Sequence, residues 1–148
     1  MNTFSLGRTL KSIQIEVERK ANQDYQRWNL TNSQFPILYY IMENKGKSLT
    51  QRDIEQAFHL KNPTVTGLLN LLEQKGFVQR VVNPNDRRSN HLLLTDAGKK
   101  LQPVLRNAIR QVDMHLLEGF TEEEITLLEN MLERILAHAQ NDQSTPSR

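Results

Sequence analysis

A mostly α-helical protein with one small β-hairpin, built as a winged helix-turn-helix between long N- and C-terminal helices, is the fold this 148-residue sequence predicts. Three observations predict it. Apolar residues recur at helical spacing along most of the chain, with capping residues at the starts of the periodic runs. Two short helical segments, ending near Phe58 and starting near Pro63, lie back to back across a tight link, which is helix-turn-helix spacing. Two runs of strand character, Phe77–Val82 and His91–Leu94, follow directly and flank turn chemistry at Asn83-Pro84-Asn85-Asp86.

Taken in order, Leu10, Ile13, Val17 and Ala21 place one long amphipathic helix over about residues 5–27. Thr31 and Gln34 have capping-box spacing for the next helix, and Pro36 falls near its tolerated first turn. Phe35, Ile37, Leu38, Tyr39, Tyr40, Ile41 and Met42 point in nearly every direction around that helix, so it is expected at the centre of the fold, ending near Gly46. Thr50 caps a third helix with Ile54, Ala57 and Phe58 inward, and Asn62 caps a fourth with Pro63 at its first position. Val65, Leu68, Leu69 and Leu72 form the buried stripe of the fourth helix, and Gly76 closes it. The hairpin should have a long tip carrying Arg87 and Arg88. Thr95 then caps a long helix with one apolar stripe from Leu101 to Leu116, broken at Gly119. Thr121 and Glu124 box the start of a last helix whose stripe runs from Ile125 to Ala139. Residues 141–148 read as a flexible polar tail.

The composition excludes whole classes of function. There is no cysteine, so disulfides, thiolate metal sites, cysteine nucleophiles and thiol redox switches are all absent. His59, His91, His115 and His138 are too widely spaced for a local metal pair, and neither a metal nor a cofactor is expected. No glycine-rich nucleotide loop and no Gly-x-Ser-x-Gly elbow occurs, which argues against an enzyme. The start of the chain has no apolar run of signal-peptide length, and no stretch approaches a bilayer span, so a cytoplasmic protein with no membrane partner is expected. Charge is distributed unevenly. From Lys75 to Lys100, six cations (Lys75, Arg80, Arg87, Arg88, Lys99, Lys100) face only Asp86 and Asp96, while residues 118–142 are strongly acidic. A basic middle predicts an anionic partner, and a basic hairpin after a helix-turn-helix predicts double-stranded DNA.

The order of elements, together with Leu30-Thr31-(x)2-Gln34-Phe35, the helix from Thr64-Val65-Thr66 to Leu72-Glu73-(x)2-Gly76, and Asp86-Arg87-Arg88-Ser89 followed by Leu94-Thr95-(x)2-Gly98, resembles the multiple antibiotic resistance regulator (MarR) family. The resemblance implies one domain over residues 1–148. In it, a winged helix-turn-helix lobe (30–100) is held between dimerisation helices (1–29 and 101–140). It also implies a DNA-binding transcriptional regulator, usually a repressor, acting on a pseudo-palindromic operator as an obligate homodimer and released by a small ligand. Independently, the first and last two helices present more apolar surface than a compact lobe needs, which itself predicts a second copy as partner.

On the fourth helix, the face opposite Val65, Leu68 and Leu72 carries Thr66, Asn70 and Gln74, with Thr64 at its edge. Asn can pair bidentately with adenine, and Thr can bond a base edge or pack on a thymine methyl, so these four are the base-contact candidates. Gly67 and Leu71 stand where many members of the family have arginine, so bidentate guanine readout is not expected from this helix. Asp86, Arg87 and Arg88 are the wing candidates. The resemblance implies that Asp86 pairs with Arg88 and that the arginine enters the minor groove, whose negative potential attracts it. Gln51, Arg52, Arg80, Lys99 and Lys100 are candidates for the DNA backbone. Trp28, Tyr39, Tyr40 and His115 either line a pocket for a small apolar or aromatic ligand or simply fill the core. A winged-helix protein-interaction module without sequence-specific DNA binding is the alternative reading; it has no use for two arginines at a wing.

Overall fold

The computed structural model describes residues 4–141; the expected tail beyond Asn141 lies outside them. Six helices and one hairpin follow in the order α1 (Leu6–Arg27), α2 (Gln34–Glu43), α3 (Gln51–Phe58), α4 (Asn62–Gln74), β1 (Val78–Asn83), β2 (Asp86–Leu94), α5 (Asp96–Leu116) and α6 (Glu122–Asn141). Two compact units divide the chain, Met1–Ala108 and Ile109–Arg148. Among the described residues no helix is long and apolar enough to cross a membrane.

In the first unit, α2 is the central helix its all-round apolar pattern predicts. Six of its ten residues are buried, among them Ile37, Leu38, Ile41 and Met42. Thr31 and Gln34 form their reciprocal bonds: the Gln34 amide donates to Thr31 Oγ1 (3.2 Å) and the Thr31 amide to Gln34 Oε1 (3.3 Å). The helix ends at Glu43, three residues before Gly46, where the Asn44 backbone amide (3.1 Å) and its Nδ2 (2.8 Å) both donate to the Tyr40 carbonyl. Around α2 pack Ile54 of α3 and Val65, Leu69 and Leu72 of α4, all fully buried. Thr50 and Asp53 make a complete capping box at the start of α3.

Several local expectations need correction. Ala57 is exposed and Phe58 half-buried, so the inward face of α3 narrows to Ile54. Asn62 is the first helical residue of α4 and not its cap; Lys61 holds the cap position, and the Asn62 side chain bonds Glu55 Oε1 (2.7 Å) instead. Leu68 is only half-buried. At the other end Gly76 adopts φ +79° and completes a Schellman closure, with Phe77 N donating to Leu72 O (3.1 Å) and Gly76 N to Glu73 O (3.0 Å). That closure consumes Phe77, so β1 begins at Val78.

The hairpin tip is shorter and more ordered than expected. Pro84 and Asn85 alone make the turn, and β2 starts at Asp86. Asn83 pairs with Asp86 and Val82 with Asn90, leaving Arg87, Arg88 and Ser89 as a bulge on β2. Short side chains hold it: Asn83 Oδ1 accepts from Asn85 N (3.0 Å), Asp86 Oδ1 from Arg88 N (3.0 Å), and Asn83 Nδ2 donates to Ser89 Oγ (3.3 Å). A bridge between Thr50 and His91, with Leu92 N donating to Leu49 O (2.8 Å), ties the hairpin to the start of α3. The foot of the hairpin is fixed by Thr95, whose hydroxyl donates to the Gly76 carbonyl and accepts from Gly98 N (3.1 Å). A Cβ on Gly98 would stand 2.3 Å from the Phe77 carbonyl oxygen, so the close approach of α5 to the foot needs glycine.

In the second unit, Thr121 and Glu124 box the start of α6 as expected: Thr121 N donates to Glu124 Oε2 (2.9 Å) and Glu124 N to Thr121 Oγ1 (3.2 Å). None of the twenty residues of α6 is buried in the single chain.

Candidate nucleic-acid interface

Helices α3 and α4 and the hairpin enclose a cleft of about 880 Å³ whose lining includes Gln51, Arg52, Glu55, Asn62, Thr66, Arg80, Asp86 and Arg88. The helix-turn-helix puts the start of α3 beside the first turns of α4, and the Thr50–His91 bridge brings β2 to the same side. Six of the residues singled out from the sequence therefore meet in one place. Thr64, Asn70 and Gln74 are exposed on α4, and Arg87 is exposed on the wing.

The helix side of the cleft is a closed hydrogen-bond network. Gln51 Nε2 donates to Thr66 Oγ1 (2.8 Å) and reaches Glu55 Oε1 (3.2 Å) and the Asn62 carbonyl (3.4 Å). Asn62 Nδ2 donates to the same Glu55 oxygen. Arg80 turns inward from β1: one guanidinium nitrogen donates to the Thr66 carbonyl (3.4 Å) and another lies 3.7 Å from Glu73 Oε2. Its side chain is only 21% exposed, so this arginine braces β1 against α4. Arg52 is exposed and lines the cleft.

The wing side is differently arranged. Asp86 and Arg88 are joined through the Arg88 backbone amide, and among the described residues no ion pair links the carboxylate to the guanidinium. That corrects the pairing implied by resemblance: the aspartate shapes the backbone of the bulge and leaves the arginine head exposed. Lys99 lies apart from the cleft, lining a smaller pocket of about 340 Å³ with Lys45 and Lys47, and Lys100 is exposed on α5.

The aromatic candidates separate into two groups. Trp28 and Tyr39 belong to a cluster in which Tyr25 stacks on Phe35 (4.3 Å between centroids), Phe35 on Tyr39 (6.0 Å), and Tyr25 meets Trp28 at 6.4 Å. Tyr40 packs edge-on against Phe58 instead (5.5 Å). His115 is exposed near the end of α5. Burial, reinforced by Glu18 and Asp24, pushes the Tyr25 phenol above its ordinary value, so the ring stays neutral across the physiological range. Among the described residues no group of three His, Cys, Asp or Glu side chains could hold a metal ion.

Sequence reasoning missed Glu55, Asn62 and Tyr25 as site residues. Glu55 stands four residues after Gln51, a spacing that puts both on one helix face and was a readable signal. Asn62 was masked by its own capping propensity, and Tyr25 by the polar stretch around it.

Comparison with known proteins agrees with this geometry. A model described as the MarR family matches residues 28–89, which span α2 to the wing. The homoprotocatechuate degradative operon repressor of Escherichia coli is 30% identical over 131 residues, covering 85% of this chain and 87% of that protein. Among solved structures, the S. aureus MepR–DNA complex superposes with a TM-score of 0.82 at 29% identity, covering 92% of this chain and 99% of the other. The MarR regulator of Oenococcus oeni PSU-1 gives 0.72 at 31% identity, over 90% and 99%.

Proposed function

The chain belongs to the MarR family of transcriptional regulators, and from that premise we propose that it acts as a homodimeric repressor of a pseudo-palindromic operator. A regulator of this kind binds DNA and is not an enzyme. The observation that carries the reading is the cleft in which Arg52, Arg88 and Thr66 meet, with exposed Asn70 on the adjoining face of α4 and Arg87 beside it on the wing. Thr64, Thr66, Asn70 and Gln74 supply base contacts in the major groove, Arg87 and Arg88 reach the minor groove, and Arg52, with Lys99 and Lys100, supplies charge for phosphates. The repressor role is supported by the E. coli relative, itself the repressor of a degradative operon.

Dimerisation is supported by the apolar side chains α6 leaves in solvent. Leu127 and Leu136 are each 58% exposed, and Met131 and Leu132 lie on the same helix. A twenty-residue helix with no buried residue gains little from folding alone, so a partner surface is the source of its stability. Release from DNA is assigned to a small apolar or aromatic ligand entering beside the Trp28, Tyr25 and Tyr39 rings. Such a ligand acts by binding the DNA-incompetent arrangement better than the competent one.

The test is footprinting on DNA fragments that the purified protein retains from genomic DNA. A two-fold dimer protects two related half-sites centred about 10 bp apart, or a small multiple of that. Protection of one asymmetric half-site at saturation would overturn the proposal. Equilibrium unfolding adds a second check, because the midpoint of an obligate dimer rises with protein concentration.

A further inference from the structure

The donors of Gln51 are already spent. Its amide nitrogen faces Thr66 Oγ1, the Glu55 carboxylate and the Asn62 carbonyl. Two of those three groups can only accept, so the nitrogen, and not the oxygen, must point at them. Both amide protons are thereby used inside the protein. A phosphate oxygen also only accepts, and Gln51 has no proton left to offer one. The same bond biases the polarity of Thr66. Its hydroxyl oxygen accepts from Gln51, and no hydrogen bond among the described residues uses the Thr66 hydroxyl as donor. Glu55 locks the arrangement by accepting from Gln51 and Asn62 at one oxygen, and Arg80 holds the Thr66 carbonyl from the wing side.

We propose that Gln51 is a positioning residue for sequence readout: by occupying one of the two lone pairs of the Thr66 hydroxyl, it biases that group to act as a hydrogen-bond donor in the cleft. A group biased to donate favours some bases in the major groove over others. Adenine and guanine present N7, guanine adds O6, and thymine presents O4, whereas cytosine presents an amino group and no acceptor. The half-site position that meets Thr66 is therefore selected against cytosine. Without Gln51 both lone pairs are free and the hydroxyl accepts more readily from the cytosine amino group, so discrimination at that position falls. The proposal rests on the reading in which Thr66 meets a base edge, and goes beyond it by giving that hydrogen bond a direction.

The test is affinity selection from an operator library randomised across one half-site, run with the full-length protein and with Gln51→Ala, Gln51→Asn, Thr66→Val and Thr66→Ser. The unmodified protein should exclude cytosine at one position. Thr66→Val should lose that exclusion and Thr66→Ser should keep it, because serine retains the hydroxyl. Gln51→Ala should relax the exclusion by roughly fivefold, the worth of one hydrogen bond. Gln51→Asn, whose amide is one carbon too short, should behave likewise and guards against a folding defect peculiar to alanine. Scrambled DNA separates this role from phosphate binding: loss of a phosphate contact weakens operator and scrambled DNA alike, whereas removal of a positioning residue leaves the affinity for scrambled DNA unchanged. Unchanged cytosine exclusion in both Gln51 variants, with the exclusion lost in Thr66→Val, overturns the proposal alone. No cytosine exclusion in the unmodified protein, or exclusion intact in Thr66→Val, removes Thr66 from base readout and so overturns the underlying reading as well.

Discussion

On α4, Thr66 is held from two sides, by Gln51 at its hydroxyl and by Arg80 at its carbonyl, whereas on the wing the heads of Arg87 and Arg88 project from a three-residue bulge without an ion pair among the described residues. Thr66 and Arg88 line the same cleft. The difference matches what each region is proposed to recognise. A base edge is a fixed pattern of donors and acceptors, and an ordered side chain rejects a mismatch because it cannot turn to suit it. A phosphate or a narrow minor groove is a broad negative potential, which a mobile guanidinium can follow along the groove at the cost of some rotamer freedom. The wing nevertheless has a rigid base: Thr95, Gly98 and the Phe77 carbonyl fix its foot, and the Leu49–Leu92 bond fixes its inner strand.

The most damaging way to break this comparison is at that foot. Gly98→Ala places a methyl group 2.3 Å from the Phe77 carbonyl oxygen, a backbone atom already bonded to Thr95 N. Either α5 or the start of β1 must shift, and overpacking against backbone is expected to cost about 3 kcal/mol. Denaturant unfolding measures it. A loss under about 0.5 kcal/mol, within the range of ordinary surface substitutions, would show that the foot is more pliable than its geometry implies.

Next in size are paired substitutions that separate helix from wing. Asn70→Ala removes the proposed base contact and is expected to cost about 1–3 kcal/mol on the operator with little effect on scrambled DNA. Arg88→Ala removes charge and is expected to weaken both DNAs together while lowering the salt slope by about 0.9 for each phosphate it no longer neutralises. Titrations of both variants on both DNAs at several salt concentrations read the two signatures directly. If Asn70→Ala weakened both DNAs equally and Arg88→Ala left the slope unchanged, the division between the regions would be wrong.

How far the sequence foretold these regions differs as well. The central place of α2, the helix-turn-helix, the N-cap at Thr50 and the capping box at Thr121 were legible because each depends on neighbours within a turn or two of helix. The inward turn of Arg80 was not, since it depends on Glu73 and Thr66 arriving beside β1 only after α4 packs. The bridge from Leu49 to Leu92 was hidden for the same reason: a single pair of bonds between distant parts of the chain leaves no period in the sequence. At the wing, Arg87 and Arg88 were identifiable by charge and position, but the bulge that presents them depends on how Asn83, Asp86 and Ser89 share their polar groups. The exposed face of α4 that carries the proposed base contacts was legible; which of its residues are constrained was not.

The smallest expected effect is at Asp86, and it tests whether the wing is shaped through its backbone. The carboxylate has two opposing influences. Its Oδ1 accepts from Arg88 N at 3.0 Å and so favours the bulge, while its negative charge, on a wing proposed to meet DNA, opposes binding to phosphates. Asp86→Asn keeps an Oδ1 acceptor in the same place and removes the charge, so it is expected to bind DNA as tightly as the unmodified protein or somewhat more tightly. Asp86→Ala removes charge and acceptor together; the bulge must then be ordered on binding without that bond, and affinity is expected to fall by about twofold to fivefold below Asp86→Asn. The fall should be the same on operator and scrambled DNA, because a backbone turn carries no sequence information. Equal affinities for the two variants would mean that the bond to Arg88 N does nothing for DNA binding. A loss in Asp86→Asn as large as in Asp86→Ala would mean that the charge itself is needed, as it would be if the carboxylate gripped the guanidinium once DNA is bound.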